Sequence, residues 1–291
     1  MVGSVTFAPA SEFSLEQVTL AFNIGFTGYY LPMTQTPAGL AEMMRENDVQ
    51  LNASLALLVN GALAGIGLVA LRGERGWIAG MGVGPQWRQQ GLGRQLLTRL
   101  LDNLRVAGAH AVQLEALSVN TPALALYTSM GFHDNRELRV YQGQLRLSDD
   151  QRAWGDGVGG ARPGPVSPQV ALSDFPQFHQ VAPAWQREAR TLWRMRRDFS
   201  GLGLWDGARL RAYVIYTRQP DGIVIFDAGA SDSAPGVRRS HLVALLTYLA
   251  PRREEAVVRA INTPPGDALD DALAWLKCPV VARQREMSRA L

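Results

Sequence analysis

The chain has 291 residues, which is long for one domain and favours two domains that each bury a core. Hydrophobic residues make up 47% and charged residues 19%, a balance that excludes a largely disordered chain. The formal charge of +3 divides into −2 over residues 1–150 and +5 over residues 151–291. The single cysteine, Cys278, excludes an intrachain disulfide and a cysteine metal cluster. We therefore expect a cytoplasmic protein that uses no metal.

The first half of the chain predicts a unit of alternating strands and helices. An apolar run from Ser54 to Leu71 approaches the length of a membrane span, but Asn60-Gly61 is a strong hairpin signal within it. Two strands, and no membrane association, are expected there. The periodicity predicts the following elements: a strand at Val5–Ala8, helices at Leu15–Tyr30 and Pro37–Asn47, the Asn60-Gly61 hairpin, a strand at Trp77–Val83, a helix at Gly91–Val106, a strand at Ala111–Ser118, a short helix and a final pair of strands.

The second half predicts a similar order of elements after a linker. The segment Ser148–Pro168 is rich in glycine and proline and lacks periodicity. We assign domains to residues 1–147 and 166–291, with a linker at 148–165. The second domain is predicted to contain an arginine-rich helical stretch ending at Asp198, a hairpin at Asp206-Gly207, strands at Arg209–Thr217 and Ile223–Gly229, a helix at Gly236–Leu249 and a strand at Ala256–Ile261.

The arginine-rich stretch raises the question of a nucleic-acid partner. Its basic residues are Arg187, Arg190, Arg194, Arg196 and Arg197. Acidic residues at 188 and 198 interrupt the run, and no nucleic-acid-binding motif accompanies it. A solvated helix face is the preferred interpretation, with no nucleic acid as partner.

A glycine turn between a strand and a helix is the most informative feature of the chain. The spacing Arg88-x-x-Gly91-x-Gly93 lets the backbone approach a ligand closely, and the first N–H groups of the following helix favour an anion such as a pyrophosphate. A P-loop would need a Gly-Lys-Ser/Thr ending, which is absent. A dinucleotide fingerprint on the glycines at 80, 82 and 84 would place its acidic residue inside a helix, at Asp102. A simple tight turn is the remaining alternative.

A second segment, residues 112–132, lies downstream of this turn and contains Asn120, Tyr127, Gly131 and Phe132. Together the two segments resemble the GCN5-related N-acetyltransferase (GNAT) superfamily. The resemblance implies an α/β fold with a mixed sheet and acetyl-CoA as cosubstrate. The implied cofactor-binding residues are Met81, Gly82, Val83, Arg88, Gln89, Gln90, Gly91, Leu92, Gly93, Arg94 and Asn120. Taken singly, Asn120 is also typical of an ordinary helix cap, and Tyr127 of a core aromatic residue.

The resemblance also implies catalytic roles for two side chains. Tyr127 would protonate the departing CoA thiolate. Glu115 lies twelve residues upstream, the spacing of base and acid in ribosomal-protein N-terminal acetyltransferases, and would accept a proton from the amine. A backbone N–H near Val83 would polarise the carbonyl. An alternative for Glu115 is a charge on the solvated face of a strand.

The N-terminal helices wall the acceptor site in this superfamily. Here they carry Phe22, Phe26, Tyr29 and Tyr30 and no cluster of acids, which a polycationic acceptor would require. The expected acceptor is therefore a small-molecule amine or a peptide N-terminus. The same aromatic residues are equally compatible with a core.

The second half resembles a degenerate copy, which makes the chain a tandem GNAT protein. Ala234-Pro235-Gly236 lacks the paired glycines, and Asn262-Thr263-Pro264 repeats the sequence that begins at Asn120. Trp275 is aligned with Tyr127, and an indole cannot protonate a thiolate as a phenol can. Acetyl transfer is thus assigned to the first half, and the second half is expected to have lost acetyl-CoA binding and to shape the acceptor site. The alternative function is a non-catalytic acyl-CoA-binding or regulatory module.

Overall fold

The structure is a computed structural model that describes residues 3–145, 147, 154–196, 198–250 and 257–291. The chain forms two compact units, Met1–Asn135 with Arg285–Leu291, and Arg136–Gln284. The last seven residues therefore belong to the first unit, whereas the sequence assigns them to the second domain. Residues 148–153 of the expected linker, Arg197 and the start of the expected strand at Ala256 lie outside the described residues.

The first unit is a mixed sheet with helices on both faces. Strands β1 to β4 pair antiparallel in sequence order, β5 pairs parallel to β4, and β12 lies beside β5. The elements are β1 (Val5–Pro9), α1 (Leu15–Gly25), α2 (Pro37–Glu46), β2 (Leu55–Val59), β3 (Ala62–Arg72), β4 (Arg75–Val83), α3 (Leu92–Val106), β5 (Ala111–Leu117) and α4 (Thr121–Ser129). Two strands run through both units: β6 (His133–Gly143) and β12 (Val280–Ala290).

Local chemistry explains most of these boundaries. Ser14 and Gln17 form a reciprocal capping box at the start of α1. Asn60 and Gly61 both have positive φ, as the predicted hairpin between β2 and β3 requires. Helix α3 buries its leucine stripe against the sheet.

Two expectations for the first half are corrected. Helix α1 ends at Gly25, five residues before the expected end, because the chain turns there and Gly28 takes a left-handed conformation. The expected final pair of strands is the single strand β6 over His133–Gly143, and it is the C-terminal strand β12 that lies beside β5.

The second unit also contains a mixed sheet, in the order β6-β11-β10-β9-β8-β7. A short strand, β7, falls inside the segment expected to be a linker. The elements are β7 (Arg162–Pro165), α5 (Pro168–Ser173), α6 (Phe175–Phe178), α7 (Ala189–Met195), β8 (Ser200–Asp206), β9 (Arg209–Gln219), β10 (Gly222–Ala230), α8 (Pro235–Leu249), β11 (Val257–Thr263) and α9 (Ala268–Trp275).

The two units share a local pattern at the middle of each sheet. Strand β4 carries a bulge where its register with β3 shifts, and β10 carries one where its register with β9 shifts. Each bulged strand pairs parallel to the next one, and helices α3 and α8 have 15 residues each. The expected α/β fold class with two related units is confirmed. In the described part of the chain, no helix has the length and apolarity needed to cross a membrane.

Candidate active site

The site in the first unit begins where β4 and β5 separate. Their parallel register covers only Arg75–Trp77 against Ala111–Gln113. Beyond these residues β4 continues to Val83 and β5 to Leu117, so that the two strand ends leave an opening in the sheet. Strand ends that diverge expose backbone groups on both sides, which can bind an extended ligand between them.

The glycine turn at the end of β4 is preorganised for an anion. Gly91 is the N-cap of α3 with a φ of 78°, and no side chain caps the helix. The first backbone N–H groups of α3 therefore lack helical acceptors and are available to a ligand. A Cβ on Gly91 would meet no atom within 4 Å, so the space in front of the turn is open. These residues fit a pyrophosphate.

Arg88 stabilises this turn from behind. Its Nε donates to the Val83 carbonyl at 2.8 Å, and its Nη2 donates to the carbonyls of Gly25 and Thr27 at 3.2 and 2.7 Å. The side chain thus connects the end of α1 to the end of β4. Sequence reasoning assigned Arg88 to the cofactor; the structure shows that its side chain also positions the loop.

Close packing of two backbones explains other glycines in this region. A Cβ on Gly82 would lie 2.6 Å from the carbonyl carbon of Gly25, and a Cβ on Gly25 would lie 2.7 Å from the Gly82 oxygen. Helix α1 therefore ends directly against β4. The glycines considered above for a dinucleotide fingerprint include Gly82, whose role in the structure is this contact.

A cleft of about 570 Å³ joins the glycine turn to the opening between the strands. Nine of the eleven predicted cofactor residues line it, as do three of the four predicted acceptor residues. The lining residues are Gly25, Phe26, Gly28, Tyr29, Tyr30, Met81, Gly82, Val83, Arg88, Gln89, Gly91, Gly93, Arg94, Asn120, Pro122, Ala123 and Leu126. Among the described residues the lining contains two arginines and no carboxylate, which suits an anionic ligand.

Two predicted cofactor residues and one predicted acceptor residue lie elsewhere. Leu92 is buried in a small cluster with Leu57, so that only its backbone faces the turn. The Gln90 side chain donates to the Gln86 carbonyl. Phe22 is 2% exposed and stacks on Phe26 at 4.4 Å between ring centres, which makes it a core residue and corrects its assignment to the acceptor wall.

Helix α4 forms the other wall of the cleft. Asn120 is its N-cap, with Oδ1 accepting from the Ala123 N–H at 3.4 Å. Tyr127 lies one turn beyond Ala123 on the same helix face, but it is 7% exposed, packs against Phe132, and does not line the cleft.

Two phenols interact near the mouth of the opening. Burial raises the pKa of the Tyr127 hydroxyl well above its ordinary value, and the neighbouring Tyr29 raises it further. Burial also raises the pKa of Tyr29, against hydrogen bonds from the Asn120 side chain and the Leu117 backbone that lower it. Both phenols therefore keep their protons at neutral pH and can act as hydrogen-bond donors.

Glu115 lies two residues beyond the last β4–β5 pair. Its Oε2 accepts a hydrogen bond from the Trp77 indole at 2.7 Å. Its neighbours Leu114 and Ala116 belong to the core beneath α3, so Glu115 is on the opposite face of the sheet. The partly buried carboxylate is thus not simply a solvated surface charge.

The corresponding turn in the second unit is built differently. The loop between β10 and α8 has four residues, whereas the loop between β4 and α3 has eight. The N-cap of α8 is Ala234 with a φ of −83°, and its N–H donates to the Asp232 carboxylate at 2.9 Å. A carboxylate therefore lies beside the N-cap of α8, where its negative charge disfavours a bound anion.

Helix geometry also corrects the alignment of the two halves. Asn120 caps α4, whereas Asn262 lies within β11 and Asp267 caps α9. The Phe132 N–H donates to the Tyr127 carbonyl, and the Cys278 N–H donates in the same way to Leu273. Leu273, which is fully buried, is therefore the counterpart of Tyr127, and the sequence alignment with Trp275 is wrong.

Comparisons with known proteins agree with this geometry. The acetyltransferase (GNAT) family pattern matches residues 26–132. A ribosomal protein bS18-alanine N-acetyltransferase of Escherichia coli is 34% identical over 85 residues, which are 29% of this chain and 57% of that protein. An IAA acetyltransferase of Azospirillum brasilense is 36% identical over 84 residues, which are 28% and 55%. The chain thus spans little more than half the length of these relatives.

Solved structures resemble nearly the whole chain. A tandem GNAT protein from the clavulanic acid biosynthesis pathway has a TM-score of 0.69 at 15% identity, covering 99% of this chain and 98% of that one. A GCN5-related N-acetyltransferase from Sphaerobacter thermophilus has a TM-score of 0.70 at 14% identity, with 98% and 95% covered. Residues 26–132, which lie within the first unit, thus match the GNAT acetyltransferase family, and nearly the whole chain resembles the fold of these solved GNAT structures.

Proposed function

We propose that the first unit transfers the acetyl group of acetyl-CoA directly to a primary amine of a small molecule or a peptide N-terminus. The cleft that joins the Gly91 turn to the opening between β4 and β5 carries this proposal. The turn would bind the pyrophosphate, and Asn120 would hydrogen-bond the pantetheine arm.

The proposed reaction forms one C–N bond and breaks one C–S bond. The amine loses a proton before or during its attack on the thioester carbonyl, and the tetrahedral intermediate collapses with release of the CoA thiolate. The thiolate takes up a proton, so charge and atoms balance without a redox partner. A backbone N–H near Val83 would stabilise the oxyanion.

Two side chains are proposed to handle the protons. Tyr127 keeps its proton because burial raises its pKa, so its hydroxyl would donate to the departing sulfur. Glu115 would receive the amine proton, directly or through water, from its place beyond the last paired residues of β5. Its hydrogen bond with Trp77 would hold the carboxylate in position.

The acceptor is proposed to contact Phe26, Tyr29 and Tyr30 at one end of the cleft. Tyr30 is 53% exposed, so it is available to an incoming molecule. In the part of the chain that the structure describes, no carboxylate lines the cleft, which disfavours polyamines and aminoglycosides. The relatives named as bS18-alanine N-acetyltransferases support a peptide N-terminus as one acceptor class.

CoA release from the full chain, measured across a panel of monoamines, polyamines and short peptides, tests the proposal. We expect turnover with at least one monoamine or peptide and none with polyamines. Glu115→Gln should lower kcat for the accepted amine, whereas Glu74→Gln, the same change at an exposed carboxylate, should leave it nearly unchanged. Tight acetyl-CoA binding without turnover on any acceptor would support the non-catalytic acyl-CoA-binding module instead.

The second unit is proposed not to bind acetyl-CoA. Its short loop, its Asp232 carboxylate at the helix start and Leu273 at the position of the phenol support this assignment. Calorimetry should find one acetyl-CoA per chain. Two equivalent sites would contradict the proposal.

A further inference from the structure

Strands β10 and β11 of the second unit separate as β4 and β5 do. Their parallel register runs from Gly222 against Val257 to Ile225 against Ala260. Strand β10 then continues to Ala230 and β11 to Thr263. The second unit therefore has an opening of its own, whose two sides are the ends of β10 and β11.

One chain segment, Gln180–Gln186, is bonded to both sides of this opening. The Gln180 Nε2 donates to the carbonyl of Ala230, the last residue of β10, at 3.1 Å. At the other end, the Asn262 Nδ2 on β11 donates to the Gln186 Oε1 at 2.9 Å. The segment thus extends from one strand to the other.

The side-chain amide of Asn262 forms hydrogen bonds through both its nitrogen and its oxygen. Its Oδ1 accepts from the Gln284 Nε2 at 2.6 Å, so both ends of its amide are bonded. Its backbone has a φ of 52°, a left-handed conformation that asparagine tolerates better than most residues. The requirement for this side chain at this point explains an unusual backbone conformation within a strand.

The residues that flank the segment are both anchored to one buried carboxylate. His179 Nε2 lies 3.1 Å from Asp227 Oδ2, and Arg187 Nη2 donates to Asp227 Oδ1 at 3.0 Å. Tyr213 donates to the same carboxylate at 2.6 Å. Asp267 lies 3.6 Å from the other imidazole nitrogen, which completes the charged groups around His179. Asp227 is on β10, just after the bulge.

Burial holds the segment in place between these anchors. Ala184 and Trp185 are both fully buried, and Trp185 is among the largest buried side chains of the described residues. A segment with bonds at both ends, a buried indole within it and an ionic anchor on either side is a fixed part of the second unit.

We propose that Gln180–Gln186 is a strap that closes the opening between β10 and β11, so that the chain itself occupies the place that an acyl-CoA arm would need. The proposed function of the first unit enters only where an acyl-CoA arm is named as the ligand that the opening would otherwise accept. Whether Gln180–Gln186 closes the second opening does not depend on that function.

Native-state cleavage by chymotrypsin after Trp185 tests the strap in the full chain, with products identified by mass spectrometry. Cleavage requires local opening and reports the population of the open form when reclosing is fast. The double variant Gln180→Ala with Asn262→Gly removes both bonds to the strand ends, keeps the residues on either side of the cleaved Trp185–Gln186 bond, and should raise cleavage after Trp185 about tenfold. The matched control is Gln177→Ala, an exposed glutamine on α6, which should cleave like the unmodified chain.

Cleavage after Tyr213, which is fully buried in β9, separates local opening from unfolding of the whole unit. The strap requires that the double variant accelerate cleavage after Trp185 and leave cleavage after Tyr213 unchanged. Three results would overturn it: rapid cleavage after Trp185 in the unmodified chain, no difference between the double variant and the control, or equal acceleration at both sites. These readouts do not involve acetyl transfer, so they stand or fail independently of the proposed function.

Discussion

The two sheet openings share their construction and differ in what occupies them. In each unit a bulged strand pairs briefly with the next parallel strand and then separates from it. The first opening leads into a cleft of about 570 Å³ lined by the glycine turn and helix α4. The second is spanned by Gln180–Gln186, which is bonded to both of its strands. A strand arrangement that both units share therefore does not by itself make a binding site.

The charged groups around the two openings also differ. Arg88 and Arg94 line the first cleft, and the start of α3 offers free N–H groups. In the second unit Asp232 accepts the N–H at the start of α8, and the buried carboxylate of Asp227 is bonded by His179, Arg187 and Tyr213. The first site is prepared for an external anion, whereas the second satisfies its charges internally.

Deletion of the last seven residues should cause the largest loss of stability among these variants. It tests whether the first unit folds without them. Met287 is buried in the core of this unit, and the Leu291 N–H donates to the His110 carbonyl. Deletion of Arg285–Leu291 should destabilise the first unit by more than about 3 kcal/mol, since loss of one buried Met side chain alone costs about 2–5 kcal/mol. Urea unfolding measures this. Unchanged stability would show that the unit is complete without these residues.

Replacement of the buried Asp227 carboxylate should destabilise the second unit and leave the stability of the first unit unchanged. Asp227→Asn removes the carboxylate that contacts both Arg187 and His179 and leaves Asp267 as the nearby negative charge, so we expect a loss of about 3 kcal/mol in the free energy of unfolding. Asp221→Asn is the control, because its ion pair with Arg259 is exposed to solvent and should contribute little to stability. Acetyl-CoA affinity, measured by calorimetry, should stay constant in both variants. A small loss for Asp227→Asn would show that the buried network contributes little.

Loss of the phenol should separate catalysis from binding in the first unit. Tyr127→Phe keeps the buried ring and removes the proton donor, so kcat should fall about 100-fold or more while acetyl-CoA affinity changes little. Tyr248→Phe, on the exposed face of α8, should leave both quantities unchanged. Full activity of Tyr127→Phe would assign the proton to water or to another residue.

A glycine substitution in each unit sharpens the comparison of the two turns. Gly91→Val places a branched side chain on a residue with a φ of 78° and in front of the free N–H groups, so acetyl-CoA binding should weaken at least about tenfold. Gly236→Val, in the first turn of α8, meets open space and no left-handed backbone, and should leave binding unchanged. If the two variants bind acetyl-CoA with equal affinity, the pyrophosphate does not bind at the Gly91 turn.

The stability of the second unit should also depend on pH. The charges of Asp227 and Asp267 outweigh burial and raise the pKa of His179 from 6.5 to about 9. Its contribution to stability is therefore complete below pH 6.5 and is lost as the pH rises through 9. Interaction with His179 and Arg187 lowers the pKa of Asp227 from 3.8 to about 2, so its contribution is present above pH 3.8 and is lost as the pH falls through 2.

Thermal unfolding from pH 5 to pH 10 measures this dependence. The stability advantage of the unmodified chain over His179→Asn should shrink between pH 6.5 and pH 9. An advantage that stays constant across this range would mean that the imidazole is neutral in the folded unit throughout.

The sequence alone determined the features that depend on a few neighbouring residues. The Asn60-Gly61 hairpin, the cap at Asn120 and the left-handed glycine at 91 follow from backbone sterics and local hydrogen bonding. The motif at residues 88–93 predicted the glycine turn, and the fold class followed from the resemblance of the two motif segments to the GNAT superfamily. The roles of Tyr127 and Glu115 remain predictions: Glu115 lies two residues beyond the last β4–β5 pair, whereas Tyr127 is buried and does not line the cleft.

Only the tertiary structure decided which side chains meet across long stretches of chain. Arg88 contacts carbonyls more than 60 residues away, at Gly25 and Thr27, and Phe22 is directed into the core because Gly80 and Phe26 pack against it. The counterpart of Tyr127 is Leu273 because hydrogen bonds at the helix ends, and not the resemblance of residue types, define equivalent positions. Local rules fix the conformation of a few residues, whereas side-chain direction and strand partners depend on the packing of the whole unit.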